Sequence, residues 1–145
     1  MQPIRRDEPL TVTLYYPFDG SLTTGPLAVK RQPDAQSQAR EALAALFTDQ
    51  RSSQAAVLKD VKLRGFYLDA SGTGYIDLVP TRQKDLRASA GEELLAVYAM
   101  VDTLAQNFEE IKQVMIILDG KDALTLAGHL DLSRKFTKRT DLVRQ

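Results

Sequence analysis

Apolar and polar positions alternate with two different periods along this chain. Thr11-Val12-Thr13-Leu14-Tyr15-Tyr16 combines β-branched and aromatic residues and halts at Pro17, which predicts a strand. Asp19-Gly20 and Gly25-Pro26 punctuate a loop, and Leu27-Ala28-Val29-Lys30-Arg31 is expected as the return strand. Helical spacing then takes over. Asp34 can cap a helix, because its carboxylate accepts the free N–H groups of the first turn. Ala35, Ala39, Ala42, Leu43, Leu46 and Phe47 form one apolar stripe that ends near Thr48.

Period two returns at Val61–Leu68 and Gly74–Val79, which read as a hairpin around Asp69-Ala70-Ser71-Gly72-Thr73. Val61, Leu63, Gly65 and Tyr67 are expected on one face, with Phe66 and Leu68 on the other beside Arg64. In the second strand Ile76 and Leu78 face one way, and Tyr75, Asp77 and Val79 the other. Ser89-Ala90-Gly91-Glu92 has the spacing of a capping box. Leu94, Leu95, Val97, Tyr98, Val101, Leu104, Ala105 and Phe108 follow, predicting a helix ~28 Å long at ~1.5 Å per residue. Val114-Met115-Ile116-Ile117-Leu118 is continuously apolar, which predicts a central strand or one covered on both faces. Asp119-Gly120 is a turn signal, and Ala123–Leu126 is the expected partner strand.

The order is strand-strand-helix twice, then a hairpin. The expected class is α+β, a mixed sheet with both helices packed on one face. Residues 1–9, with Pro3 and Pro9, read as a flexible arm and residues 10–133 as one domain. Residues 134–145, with Arg134, Lys135, Lys138, Arg139 and Arg144, read as a polar basic tail, loosely ordered.

Composition narrows the function classes. At 145 residues, 43% hydrophobic and 26% charged, the chain is an ordinary globular domain with no need of a disulfide or metal to hold its core. Nineteen basic residues balance nineteen acidic ones, so the surplus of positive charge that a dedicated nucleic-acid binder needs is missing. Cysteine is absent, which excludes disulfides, Fe–S clusters, thiolate zinc and a cysteine nucleophile. No apolar run approaches the ~20 residues of a membrane helix. Met1-Gln2-Pro3-Ile4-Arg5-Arg6 has no apolar signal region, so a cytosolic chain or a trimmed one is expected.

Candidate chemistry is sparse. His129-x-Asp131-x-Ser133 has the residue types of a triad, but in an extended segment such positions lie ~6.5–7 Å apart, beyond the reach of successive hydrogen bonds. A structural histidine is expected. Glu92 and Glu93 point in different directions from their helix, and Glu92 is explained by the capping box. The glycines at 72 and 74 lie in a hairpin rather than before a helix, so they form no phosphate loop. The five tyrosines read as core and hairpin packing. No cofactor and no catalytic or metal-ligating set is predicted.

Several segments together resemble the GerM domain family. They are Ser89-Ala90-Gly91-Glu92, Tyr98 with Val101 and Thr103-Leu104, Val114 through Leu118-Asp119-Gly120, and Leu126-Ala127-Gly128-His129-Leu130-Asp131-Leu132-Ser133. Val12-Thr13-Leu14-Tyr15-Tyr16 and Gly74-Tyr75-Ile76-Asp77-Leu78 fit the same pattern, so the likeness spans Leu10 to Ser133. The resemblance implies an α/β fold similar to ring-building motifs and an extracytoplasmic, often lipoprotein, setting. It also implies a non-catalytic role in protein assembly at the cell envelope, in sporulation, germination or another process. It singles out Gly91, Glu92, Tyr98, Asp119, Gly120, Gly128, His129, Asp131 and Ser133 as structural-motif or interface residues. The implied partner is an envelope protein or a second copy of the chain, with membrane contact only through an anchor. The competing expectation is an envelope glycan-binding or hydrolase domain that uses His129 and Asp131.

Overall fold

The computed structural model describes residues 8–81, 88–122 and 125–144. In chain order the elements are β1 (Leu10–Phe18), β2 (Ser21–Val29), α1 (Ala35–Thr48), β3 (Val61–Leu68), β4 (Thr73–Pro80), α2 (Ala90–Asn107), β5 (Gln113–Leu118) and β6 (Lys121–Asp122). The class is α+β, with the predicted order of strands and helices. The strands divide between a two-stranded sheet, β1-β2, and a four-stranded sheet in the order β3-β4-β5-β6. Within the second sheet only β4 and β5 are parallel, joined by the crossover through α2.

Two Asp-Gly pairs make the tight turns. Asp19 and Gly20 have φ of 51° and 77°, and Asp119 and Gly120 have 54° and 76°. Positive φ at both central residues gives a turn whose twist matches the strands it joins. The first turn brings the return strand in at Ser21, six residues before the expected start at Leu27, and β2 runs straight through Gly25-Pro26. Proline fits there because Pro26 lies opposite Thr13, whose N–H points away from the hairpin to Asn107 Oδ1 at 2.9 Å. The second turn makes Lys121–Asp122 the partner of β5. The expected partner at Ala123–Leu126 lies partly outside the described residues, and Leu126 belongs to a loop.

A bulge in β3 reverses part of the predicted facing. The β3–β4 register slips between Leu63 and Gly65, leaving Arg64 as the extra residue. Leu63 therefore packs against the core together with Phe66 and Leu68. Gly65 and Tyr67 sit opposite Asp77 and Tyr75 on the outer face. In β4 the predicted alternation is observed, with Ile76 and Leu78 fully buried.

Both helices lie on the inner side of the four-stranded sheet. α1 packs mainly on β3, α2 mainly on β1, and the helices touch each other. Asp34 caps α1 by accepting the Ser37 N–H at 2.8 Å. Every residue of α2 from Ala96 to Leu104 is buried, where the sequence predicts one apolar stripe. The reason is the C-terminal segment, which is not the loose tail expected from its charge. Phe136 is fully buried and meets Tyr98 edge-on, with ring centroids 5.7 Å apart. Its backbone pairs with Val114 of β5, and Val143 bridges to Leu22 of β2. The segment is thus a strap over α2 that links the open edges of the two sheets. The expected flexible arm lies outside the described residues except for Glu8 and Pro9; the Glu8 carbonyl accepts from Arg31.

Candidate functional site

The loop that carries His129 is built around a carboxylate from α2. Glu93, one residue past the capping box, is fully buried. Its Oε2 accepts the N–H groups of Leu126 at 3.2 Å and Ala127 at 2.9 Å, and its Oε1 those of His129 at 2.9 Å and Leu130 at 3.0 Å. Four backbone donors and a place in the first turn of the helix stabilise the buried anion. Gly128 completes the wrap at φ of 93°, a conformation that side chains resist. The sequence reading weighs Glu93 only as half of a carboxylate pair with Glu92, and nothing in its local spacing marks it as the anchor of this loop.

The predicted triad residues do not converge. The His129 ring Nε2 lies 2.8 Å from the Ala88 carbonyl, which accepts the proton of that nitrogen. Asp131 instead accepts the Ser133 N–H at 2.9 Å and its hydroxyl at 2.6 Å, which holds the Asp131 carboxyl below the usual range. The pair Asp131–Ser133 is a local turn, and His129 faces elsewhere. Among the described residues no three His, Asp or Glu side chains are grouped as metal ligands.

The other singled-out residues fall into separate places. Ser89 and Glu92 form the capping box in both directions, at 3.1 Å and 2.9 Å. The Ser89 N–H is the main reason that the Glu92 carboxyl is held low. Gly91 lies in the exposed first turn of α2, and Tyr98 lies in the core under the guanidinium of Arg139. Asp119 and Gly120 form the β5–β6 turn. The Gly120 N–H donates to Asp77 Oδ1 at 2.9 Å, and Arg64 reaches Asp77 at 3.3 Å and Asp119 at 3.8 Å. Asp77 is buried, so this contact pins the turn to the middle of the sheet.

Among the described residues, Asp102 is a buried carboxylate with an unsatisfied oxygen. It is buried in α2, accepts the Arg139 N–H at 3.0 Å with Oδ1, and leaves Oδ2 without a partner. Burial pushes its pKa up to about 6, against the opposing Arg139 hydrogen bond and the nearby Lys138 and Arg139 charges.

Two surface features remain. A groove of about 450 Å³ lies between the β1–β2 turn, Ala55-Ala56, the N-terminal half of α2 and Leu142. Its apolar wall includes Phe18, Leu94 and Leu95, and its two ionisable residues are both engaged, Asp19 with Arg144 and Glu92 in the capping box. The second feature is the outer face of the four-stranded sheet. Tyr67, Tyr75 and Met115 form one cross-strand row, with Asp77 and Ile117 in the next and Val79 beyond. Tyr67 is 51% exposed, and neither helix covers this face. Tyr67 and Tyr75 face each other across the β3–β4 hairpin, in line with the expected hairpin packing.

These features place the chain among known proteins through its fold. A family model described as Germane, sporulation and spore germination, matches residues 13–124. The chain belongs to the Germane family. Its Germane match ends just before the Glu93-bound loop and the strap. Comparison with the curated proteins gives no match. Among solved structures, a candidate lipoprotein from Clostridium perfringens is 23% identical, with a TM-score of 0.61 over 94% of this chain and 93% of the other. The first GerMN domain of the sporulation protein GerM from Bacillus subtilis is 18% identical, with a TM-score of 0.62 over 91% and 99%. The tandem GerMN domains of that protein are 16% identical, with a TM-score of 0.63 over 99% of this chain and 50% of theirs. This chain therefore has the extent of one of the two tandem domains. Among the described residues, no helix is long and apolar enough to cross a membrane.

Proposed function

We propose that this Germane domain is a non-catalytic assembly module of the bacterial cell envelope, held outside the cytoplasm, that binds protein through a surface rather than turning over a substrate. The observation that carries the reading is the outer sheet face. Tyr67, Tyr75, Val79, Met115 and Ile117 are hydrophobic, yet none of them belongs to the core cluster or packs against it. Apolar side chains that contribute nothing to a monomer's core and lie together on one face mark a contact surface. The buried and loop carboxylates point the same way, because Glu93, Asp77 and Asp131 are spent on backbone N–H groups. The envelope setting draws on the likeness to the Clostridium perfringens candidate lipoprotein, and a sporulation or germination process on the family description. The test is a photo-crosslinking residue at position 67 in living source cells, which is expected to capture protein.

A further inference from the structure

We propose that the C-terminal strap is a proton-controlled latch, docked on α2 while Asp102 carries a proton and released more often once that carboxyl ionises. The latch operates whether or not the outer sheet face binds protein.

One row of α2 lies under the strap. Tyr98, Asp102 and Gln106 are spaced four residues apart, so they share one side of the helix. Tyr98 meets Phe136 and Arg139, Asp102 accepts the Arg139 N–H at 3.0 Å, and Gln106 Oε1 accepts from Lys138. The neighbouring side of the helix belongs to β1, through Thr103 and Asn107. The strap is therefore what keeps water from Asp102.

The strap brings cations to this carboxyl but no partner for its second oxygen. Arg139 lies over the Tyr98 ring and turns its guanidinium to Asp141, with Nε at 3.0 Å. Lys138 lies over the Tyr15 ring of β1 and donates to Gln106. Oδ2 of Asp102 is buried without a partner. Lys138, Arg139 and Asp141 are the charged groups that act on the carboxyl, and all three belong to the strap. Among the described residues, α1, β1, β2 and β5 supply none. Burial thus outweighs attraction and pushes the docked carboxyl up to about 6. With the strap lifted, Asp102 meets water and returns to its ordinary 3.8.

The strap is attached lightly enough to leave as a unit. Its backbone pairs with one residue of each sheet. Phe136 exchanges both hydrogen bonds with Val114, while Leu142 accepts from Leu22 and Arg144 donates to Leu22. The helices and sheets keep their own ladders when it lifts. The Tyr98 row and the sheet edges at Leu22 and Val114 then open together, and those edges can pair with another strand.

Native-state hydrogen exchange of the purified chain at pH 5 and pH 8, corrected for the intrinsic pH dependence of amide exchange, reads the latch directly. The amides of Leu22, Val114, Phe136 and Arg144 are expected to open together, and more often than those of Ile76 and Leu78 in the central strand β4. Their opening constant rises about tenfold from pH 5 to pH 8, because the docked strap holds the Asp102 proton up to about 6 and the lifted strap only to 3.8. Asp102→Asn keeps an oxygen for the Arg139 N–H and abolishes the rise. Phe136→Leu opens all four amides more often at both pH values and keeps the rise. Strap amides that open no more often than Ile76 and Leu78, a rise that Asp102→Asn leaves intact, or a Phe136→Leu effect confined to one amide overturns the proposal.

Discussion

Glu93 and Asp102 sit on the same helix, both buried, with opposite energetic consequences. Four N–H groups surround Glu93. Glu93→Gln turns an amide NH₂ toward some of those donors, so a loss on the order of 2–4 kcal/mol is expected in denaturant unfolding. Hydrogen-exchange protection at residues 126–130 should fall with it. Asp102 has one partner and a folded pKa of about 6 against 3.8 in the unfolded chain. The native state therefore holds a proton that the unfolded state has released between about pH 4 and pH 6. Stability falls as pH rises through that window and levels off above it, by at most on the order of 3 kcal/mol. Asp102→Asn should flatten this slope and exceed the wild type in stability at pH 8, as measured by urea titration at several pH values. Of these features only the capping box next to Glu93 is legible in the sequence, because Ser89 and Glu92 satisfy each other within one turn. Glu93's partners lie 33 to 37 residues downstream. No local spacing encodes an acceptor for such distant backbone donors.

At the scale of elements, local signals were enough where the chain turns on itself. Asp19-Gly20 and Asp119-Gly120 fix two hairpins, and Asp34 and Ser89 start the two helices. Face assignments failed where one residue shifts the register: the bulge at Arg64 sends Gly65 and Tyr67 outward although they share parity with Leu63. The strap failed for a different reason. One buried aromatic in a basic run is its main side-chain anchor over α2, and charge composition hides it. Phe136 fills the space beside Tyr98. Phe136→Ala should cost about 3–5 kcal/mol and expose the outer side of α2, seen as lost protection from Ala96 to Leu104. A loosely attached tail would lose almost nothing.

For the whole molecule, balanced charge, a filled core and an apolar outer sheet face support the proposed reading of association. The sequence shows Tyr67, Tyr75, Met115 and Ile117 only as hydrophobic strand residues. Assigning them to a common outer face needs the register of three strands and the bulge. The most direct measurement is the crosslinking yield in living source cells from a photoreactive residue at position 67, compared with one at exposed Glu109 beyond the end of α2. The account predicts a discrete protein adduct at position 67 that is absent at position 109 and lost when Ile117 is replaced by Glu. Equal yields at the two positions, or an adduct that survives Ile117→Glu, would contradict it.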